Sequence, residues 1–349
     1  MSMKPLSYPK FKSNKERLKY FLKLFDKNDR VLVLFWADPD AIASAFAVKK
    51  LLQNRVAKIT LSHVNEIRRL NNQVMVELLK IPVVPYKREF LMDYNKFVLV
   101  DSQPTHREEF KDINFTAVID HHPVTNGWSA DFIDIRPDYG ATSTILFEYL
   151  KTLKLNPNVY LATALTYGLK TDTDNFQKSA QLQDVLAFQR LFKKMNKHLL
   201  AKIESSDLRR SELKYFKTAL ENLKYLGNKA FTYLGKVSNS DVLVLVADFL
   251  NKVYETSWVF VGGEYKKNLV IIVRCDGYRK DAGKLVTRVF KNMGKAGGHK
   301  EKARAEIPFE SIEKSPEEFT TASLIRLFRK YFSQREAKSQ LLIESAPPI

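Results

Sequence analysis

The stretch Thr116-Ala117-Val118-Ile119-Asp120-His121-His122-Pro123 is a short apolar run that ends in an aspartate and two adjacent histidines. Two other apolar runs end in carboxylates: residues 31–36 lead into Asp38-Pro39-Asp40, and residues 97–100 lead into Asp101. Short β-branched runs of this kind are typical of buried parallel strands. The carboxyl ends of such strands meet at one edge of a sheet, where open α/β proteins bind ligands. The sequence therefore predicts an α/β fold in which these polar side chains share a crevice.

Strand-like and helix-like patterns alternate through the N-terminal part of the chain. The strand-like segments lie near residues 31–36, 58–61, 96–101, 115–120 and 132–136, and the helix-like segments near 13–27, 42–53, 66–80, 142–155, 157–169 and 181–196. This alternation indicates a doubly wound, mainly parallel sheet. We predict that residues 1–199 form this domain.

The remaining sequence predicts a connector, a second domain and a tail. Residues 200–228 are charged and helical in pattern, so we interpret them as a helical connector. Residues 229–312 contain several strand patterns, a Gly262–Asn268 stretch typical of a hairpin turn, and one amphipathic helix pattern. They predict a smaller C-terminal α/β domain. Residues 313–349 are predicted to form a basic helix, from Leu324 to Gln334, and a frayed tail.

The composition limits the partners and the compartment. The chain has 349 residues, with 57 Lys and Arg against 39 Asp and Glu, and a formal net charge of +18. This excess predicts an anionic partner such as nucleic acid, nucleotides or polyphosphate, although a solvated lysine-rich surface explains it equally well. The sequence has no long apolar run and no apolar signal core, so we expect no membrane span and a cytoplasmic protein. The single cysteine, Cys275, excludes an intrachain disulfide and suits a reducing compartment.

The polar residues at the strand ends are candidate metal ligands. Asp38 and Asp40 are two residues apart, so both carboxylates would face the same way in extended backbone. The alternative is a turn with a helix cap, for which Asp-Pro-Asp is well suited. Asp101 has the same alternative, and Asp172 is predicted to lie in a hydroxyl-rich loop after a helix, which could be only a turn. Clustered carboxylates with a neutral imidazole, such as that of His121, favour a hard-to-borderline divalent cation.

The order of these motifs resembles that of the DHH phosphoesterase superfamily. The chain carries Asp38-Pro39-Asp40, then Asp101, then Asp120-His121-His122-Pro123, and then Thr171-Asp172-Thr173. Ala141-Thr142-Ser143-Thr144 resembles the small, hydroxyl-rich start of the helix that follows the Asp-His-His strand in that family.

The C-terminal part carries a second resemblance. Arg274, followed by an amphipathic helix pattern and Gly297-Gly298-His299, is similar to the signature of the DHH-associated C-terminal domain. Together the resemblances extend over residues 28–308. The pattern is most similar to that of the stand-alone members called nano-RNases or pAp phosphatases, which are of similar length.

The resemblance implies a dimetal centre that hydrolyses phosphoesters, usually with Mn²⁺ and with Mg²⁺ or Co²⁺ as substitutes. The implied metal ligands are Asp38, Asp40, Asp101, His121 and Asp172. Asp101 would bridge the two ions, while Asp120 and His122 would be the catalytic residues that orient the ligands or touch the phosphate. The implied substrate-binding residues belong to the second domain, across a cleft from the metals, and are Arg274, Gly297, Gly298 and His299.

The chain also departs from the family pattern. The first motif usually carries a histidine four residues before its first aspartate, and this chain has Leu34 there. One ion would therefore have only Asp38 and Asp101 from the protein. His106 is a candidate replacement ligand, or else an ordinary loop residue. After Gly-Gly-His the family usually has small residues, whereas this chain has Lys300-Glu301-Lys302-Ala303-Arg304.

Three functions follow as hypotheses. The leading one is a Mn²⁺-dependent phosphoesterase that acts on short nucleotides: oligoribonucleotides, pAp, or linear or cyclic dinucleotides. The second is a polyphosphate or pyrophosphate hydrolase, although that branch usually carries the missing histidine. The third is a catalytically degenerate protein that binds nucleic acid; the cost of clustering five polar groups without a metal opposes it. A homodimer is compatible with each hypothesis.

Overall fold

The computed structural model describes residues 11–278, 280–312, 314–329 and 331–332. They divide into two compact units, with the boundary between Asp207 and Leu208. The predicted basic helix is helical over residues 321–329, whereas its predicted end and the tail from residue 333 lie outside the described residues. No helix in the described part of the chain is both long enough and apolar enough to cross a membrane.

The first unit contains a six-stranded, wholly parallel sheet, which confirms the predicted α/β class. Its strands are β1 (Arg30–Phe35), β2 (Lys58–His63), β3 (Val83–Pro85), β4 (Lys96–Val100), β5 (Ala117–Asp120) and β6 (Phe132–Ile135). Its helices are α1 (Asn14–Lys23), α2 (Pro39–Leu52), α3 (Leu70–Leu78), α4 (Phe90–Asp93), α5 (Thr142–Thr152), α6 (Val159–Asp172), α7 (Leu182–Phe192) and α8 (Lys197–Glu204). The strand order is β3-β2-β1-β4-β5-β6. The order reverses between β1 and β4, and a crevice opens at the carboxyl ends of the strands at such a switch point.

The two faces of this sheet are covered differently. Alternate residues of β1, among them Val33 and Phe35, pack in one large cluster with buried side chains of α2, α5 and α6. The opposite face, which includes Leu34, is covered by Phe110 and other side chains from the short segments between β3 and β5. Burial of each large aliphatic or aromatic side chain contributes about 1.5–3 kcal/mol. The long helices therefore provide most of the core on one face only.

Two helix boundaries differ from the prediction and change how the motif residues are held. Helix α2 begins at Pro39 because the Asp38 carboxylate caps it, accepting the N–H of Ala41 at 2.9 Å. Asp38 has extended backbone but Asp40 lies in the helix, so the geometric argument that both carboxylates face the same way does not hold, and Asp38 does cap the helix as the alternative predicted. Helix α6 extends through Asp172, so this residue ends a helix rather than lying in a loop.

The second unit is built on a mostly antiparallel six-stranded sheet of order β11-β12-β10-β9-β8-β7, in which only β8 and β9 pair in parallel. Its strands are β7 (Lys224–Leu226), β8 (Lys229–Lys236), β9 (Trp258–Tyr265), β10 (Asn268–Cys275), β11 (Lys295–Gly298) and β12 (Lys302–Pro308). Its helices include α9 (Leu213–Glu221), α10 (Asp241–Leu250) and α11 (Ala282–Phe290). One face packs on α11 and the helix at 321–329, and the other packs on α9 and α10.

Two predictions for this part of the chain need correction. The proposed connector 200–228 is divided between the units, because α8 packs in the first core and α9 packs in the second. The hairpin turn is shorter than predicted. Lys266 and Lys267 form it with φ of 50° and 64°, while Gly262 and Gly263 lie inside β9. A Cβ at Gly263 would lie 2.8 Å from Leu243, so close packing of α10 explains that glycine.

Candidate metal centre

Four polar residues from separate elements meet at the switch point of the first unit. They follow or lie near the carboxyl ends of β1, β4 and β5 and of helix α6. Each offers a ligand atom, and these atoms all lie within 4.8 Å of one another; the residues are Asp40, Asp101, His121 and Asp172. The structure thus brings together four of the five predicted metal ligands.

Asp40 is fixed by the first turn of α5. Its two carboxylate oxygens accept the backbone N–H groups of Thr142 at 2.6 Å and Ser143 at 2.9 Å. These are N–H groups that the helix itself leaves unsatisfied, and the helix dipole favours the negative charge there. Helix α6 crosses closely at Gly168, where a Cβ would lie 2.9 Å from the Asp40 Cα and 2.7 Å from Ser143 Oγ. Only glycine permits this close approach.

Asp101 follows β4 in a left-handed conformation, with φ of 56°. Its N–H donates to the Ile119 carbonyl at 2.9 Å, and its Oδ1 accepts the Thr142 hydroxyl at 2.8 Å. A buried non-glycine residue with positive φ costs free energy, and such strain concentrates at functional sites. The conformation turns the carboxylate away from the strand and towards the other acidic groups.

His121 presents an unpaired nitrogen to the carboxylates. Its Nδ1–H donates to the Tyr139 carbonyl at 3.1 Å, so the lone pair of the neutral ring lies on Nε2. The buried Nε2 lies 3.0 Å from Asp172 Oδ2 and 3.6 Å from Asp101 Oδ1 but makes no aligned hydrogen bond. The Tyr139 hydroxyl accepts from Arg136, which also pairs with Glu148. This network holds the peptide that orients the imidazole.

The electrostatic repulsion among the buried carboxylates of the cluster favours the binding of a cation. Burial, with Asp172, raises the pKa of Asp38 to about 7 and the pKa of Asp40 to about 6. Burial, with Asp38 and Asp40, raises the pKa of Asp101 well above its usual range. Although burial opposes protonation of His121, Asp172 and Asp40 raise its pKa to about 9. Three carboxylates and an imidazole facing one another are a donor set that fits a divalent cation.

The environment of a second cation is poorer. Asp38 is half-buried, caps α2 with one oxygen, and is not one of the four clustered residues. Leu34 has no exposed surface and packs among apolar side chains on the opposite face of the sheet. Strand β1 therefore provides no imidazole beside Asp38.

Asp120 and His122 form a dyad next to the cluster. The His122 Nδ1–H donates to Asp120 Oδ1 at 2.8 Å, and the side chain of His122 is 43% exposed. This hydrogen bond raises the pKa of His122. Burial opposes ionisation of Asp120, but the hydrogen bond from His122 lowers its pKa below the usual value. The dyad therefore holds a proton on an imidazole that substrate can reach.

Two positioning residues had no signal in the sequence. Gln103, fully buried, donates to Asp120 Oδ2 at 2.7 Å and accepts the N–H of Thr125 at 2.7 Å, so it fixes the loop after the two histidines. Asp184 of α7 accepts the N–H of Gly140 at 2.9 Å and the Thr144 hydroxyl at 2.6 Å, so it fixes the start of α5. Both act through contacts far apart in sequence, which a motif search does not detect.

His106 lies beside the dyad but is poorly suited to be the missing ligand. Its Nδ1 accepts the N–H of Gln103 at 3.2 Å, so the proton of the neutral ring lies on Nε2. Burial lowers the pKa of His106, which favours this neutral form. The ring lies edge-on to His122, with centroids 5.6 Å apart. His106 therefore offers an N–H donor rather than a lone pair.

The four predicted substrate-binding residues all lie in the second unit. Arg274 of β10 pairs with Asp248 of α10 at 2.6 Å. Gly297 and Gly298 end β11, and Gly298 has φ of 152°. His299 is exposed, and its carbonyl accepts the N–H of Gly283 at the start of α11 at 2.9 Å. Their contact with substrate remains a prediction.

The basic residue Arg304 is already paired within this unit. Its guanidinium donates to Glu306 Oε1 at 2.7 Å and to the Ser240 hydroxyl at 3.1 Å.

Comparison with known proteins agrees with this geometry. The model of the DHH family, N-terminal domain, matches residues 30–169. An uncharacterized protein of Methanocaldococcus jannaschii is 31% identical over 300 residues, which are 83% of this chain and 62% of that protein. The chain thus spans less than two thirds of the length of this relative. The crystal structure of an exopolyphosphatase-related protein from Bacteroides fragilis shares the fold, with a TM-score of 0.66 and 15% identity over 91% of this chain and 96% of that one. The matched residues include the Asp-His-His strand, which lies next to β4 at the switch point, so residues 30–169 carry a DHH-family N-terminal domain.

Proposed function

We propose that this protein is a metal-dependent phosphoesterase that hydrolyses short nucleotides such as oligoribonucleotides, pAp or dinucleotides. The observation that carries the proposal is the buried His121 Nε2, which faces Asp101 and Asp172 without an aligned hydrogen bond. An imidazole nitrogen held against carboxylates is costly unless a proton or a cation lies between them. The match of residues 30–169 to the DHH family supports phosphoester chemistry at this place in the fold.

Asp40, Asp101, His121 and Asp172 would hold one cation, with Mn²⁺ the proposed ion and Mg²⁺ or Co²⁺ as substitutes. When bound, such a cation lowers the pKa of water and neutralises charge on the phosphate. Asp38 and Asp101 would hold a second ion more weakly, because Leu34 replaces an imidazole. We therefore propose that the resting protein holds one tight cation.

The protein residues around this ion have separate roles. His122, whose pKa the hydrogen bond to Asp120 raises, would donate its Nε2 proton to the leaving oxygen as the phosphoester bond breaks. The neutral Nε2–H of His106 would donate a hydrogen bond to a phosphate oxygen. Gln103 would hold Asp120 and the loop that follows the two histidines in position through its hydrogen bonds.

Hydrolysis of a 5′-labelled RNA trinucleotide with and without Mn²⁺ tests the proposal, with Asp101→Asn as the inactive comparison. Asparagine removes the charge and tolerates the positive φ of 56° at this position. We expect Mn²⁺-dependent release of mononucleotides by the wild-type protein and a large loss in the variant. The same activity in both proteins would refute the assignment.

The buried Leu34 also favours a second candidate, a DHH protein that binds nucleic acid without turnover. Absence of product from RNA, pAp and polyphosphate at high Mn²⁺, together with salt-dependent binding of longer RNA, would support it.

A further inference from the structure

An arginine lies over the ring of a tryptophan in the first unit, and both residues are close in sequence to candidate site residues. Trp36 directly follows β1 and is half-buried, whereas Arg107 is exposed. The Arg107 Cζ lies 4.0 Å from the centroid of the Trp36 ring, which is van der Waals contact between two flat groups. Among the described residues, no carboxylate forms an ion pair with Arg107.

Both residues are carried by turns with fixed backbone. Asn65 holds the peptide after Trp36, since its Oδ1 accepts the Ala37 N–H at 2.5 Å and its Nδ2 donates to the Ala37 carbonyl at 3.4 Å. The Asp38 N–H also donates to the Trp36 carbonyl at 2.9 Å. On the other side, the Arg107 carbonyl accepts the Phe110 N–H at 3.2 Å. The backbone that carries the two side chains is therefore held in place on both sides.

The stack lies beside the residues proposed to handle the phosphate. Trp36 is two residues before Asp38, and Arg107 directly follows His106, whose ring contacts that of His122. A flat cationic surface here would face the part of a substrate next to its phosphate.

We propose that Trp36 and Arg107 form a stacking platform for one nucleobase of the substrate. This inference rests on the proposed function and assigns its specificity for nucleotides. Bases stack on guanidinium planes and aromatic rings whatever their sequence, whereas a polyphosphate chain has no plane to stack.

The test compares an adenine dinucleotide with the same backbone carrying an abasic residue, both with Mn²⁺. Arg107→Ala should raise KM for the adenine dinucleotide about tenfold and leave kcat nearly unchanged, with little effect on the abasic substrate. Arg107→Lys keeps the charge without the plane and should not restore the KM. Arg30→Ala is the matched control, because Arg30 lies over Tyr94 at the opposite end of β1.

Equal KM changes on both substrates, or rescue by lysine, would show that Arg107 acts only as a charge. No KM change would overturn the platform while leaving the phosphoesterase intact. If the wild-type protein cleaves neither substrate, the proposed function fails. The platform is then tested separately by measuring the binding of AMP and of ribose 5-phosphate by calorimetry. Tighter binding of AMP that is lost in Arg107→Ala would support it, and equal binding of both compounds would refute it.

Discussion

The Nε2 atom of His121 lies 3.0 Å from Oδ2 of Asp172, although one residue follows a strand and the other ends a helix. The Nδ1–H of the same ring is committed to the Tyr139 carbonyl, so a neutral ring directs its lone pair at the carboxylate. The fold thus brings two groups together that repel one another unless a proton or a cation lies between them. This relationship makes the metal-free protein sensitive to pH.

The thermal stability of the metal-free protein should fall as the pH rises above neutrality. The pKa of His121 is raised from its ordinary value of 6.5 to about 9, so its contribution is lost in this range, whereas the pKa of Asp38, raised to about 7, places its loss mainly below neutrality. A group whose pKa is raised on folding contributes stability below its unfolded pKa and loses it as the pH rises through the folded value. We expect Tm in EDTA to drop from about pH 7 to about pH 8.5, with Mn²⁺ adding more stability at the higher pH because ligands must be deprotonated. A flat profile in EDTA would contradict this account.

Gly168→Ala should destabilise the fold and weaken metal binding. Alanine in a helix is ordinarily better than glycine by about 0.5–1 kcal/mol, but here its Cβ would lie 2.9 Å from the Asp40 Cα. Overpacking of this kind costs about 1–3 kcal/mol, so the net effect is a loss. Urea unfolding and Mn²⁺ titration measure the two effects. Gly297→Ala is the control for stability, since nothing lies within 4 Å of its Cβ position; equal stability of both variants would rule out the close approach.

Five strands of the first sheet could be predicted from the sequence because they contain apolar runs followed by polar residues, whereas β3 was missed because it is only three residues long. Helix α10 could not, since Val242 to Val246 is as apolar as a buried strand. Lys266 and Lys267 could not be predicted as the turn residues either, because lysine rarely takes the positive φ that they adopt.

Part of the site could be predicted because residues that follow parallel strands lie at the same edge of the sheet. Asp40, Asp101 and His121 follow strands, so the topology alone places them at one edge. Gln103 and Asp184 could not be identified, because each works through hydrogen bonds to residues that only the tertiary fold brings near. The function of Asp38 as a cap and its nearness to the cluster are both real, so the two interpretations of its motif were not exclusive.

His122→Gln should slow cleavage in a manner that depends on the leaving group. A general acid contributes about 10²–10⁴-fold when the leaving oxygen is basic, as in a nucleotide, and little when it is a nitrophenolate. We expect kcat on a dinucleotide to fall within that range and kcat on bis-p-nitrophenyl phosphate to change much less. Asp120→Asn should reproduce the pattern more weakly, since it removes the partner of the Nδ1–H. Equal losses on both substrates would instead indicate a role in binding.

Leu34→His should create a second tight cation site at a cost in metal-free stability. The wild-type side chain has no exposed surface and packs among apolar residues, so an imidazole there loses that packing and buries a polar group. If its ring reaches the carboxylates of Asp38 and Asp101, the bound metal should rise from one tight ion per chain to two, and Mn²⁺ should restore much of the lost Tm.

Leu32→His is the matched control, because it lies in the same apolar cluster one strand repeat farther from the carboxyl end of β1. We expect the control to lose stability without gaining metal, as measured by calorimetric titration and metal analysis. A Leu34→His protein that still binds one ion would show that the position no longer belongs to the metal centre of this chain.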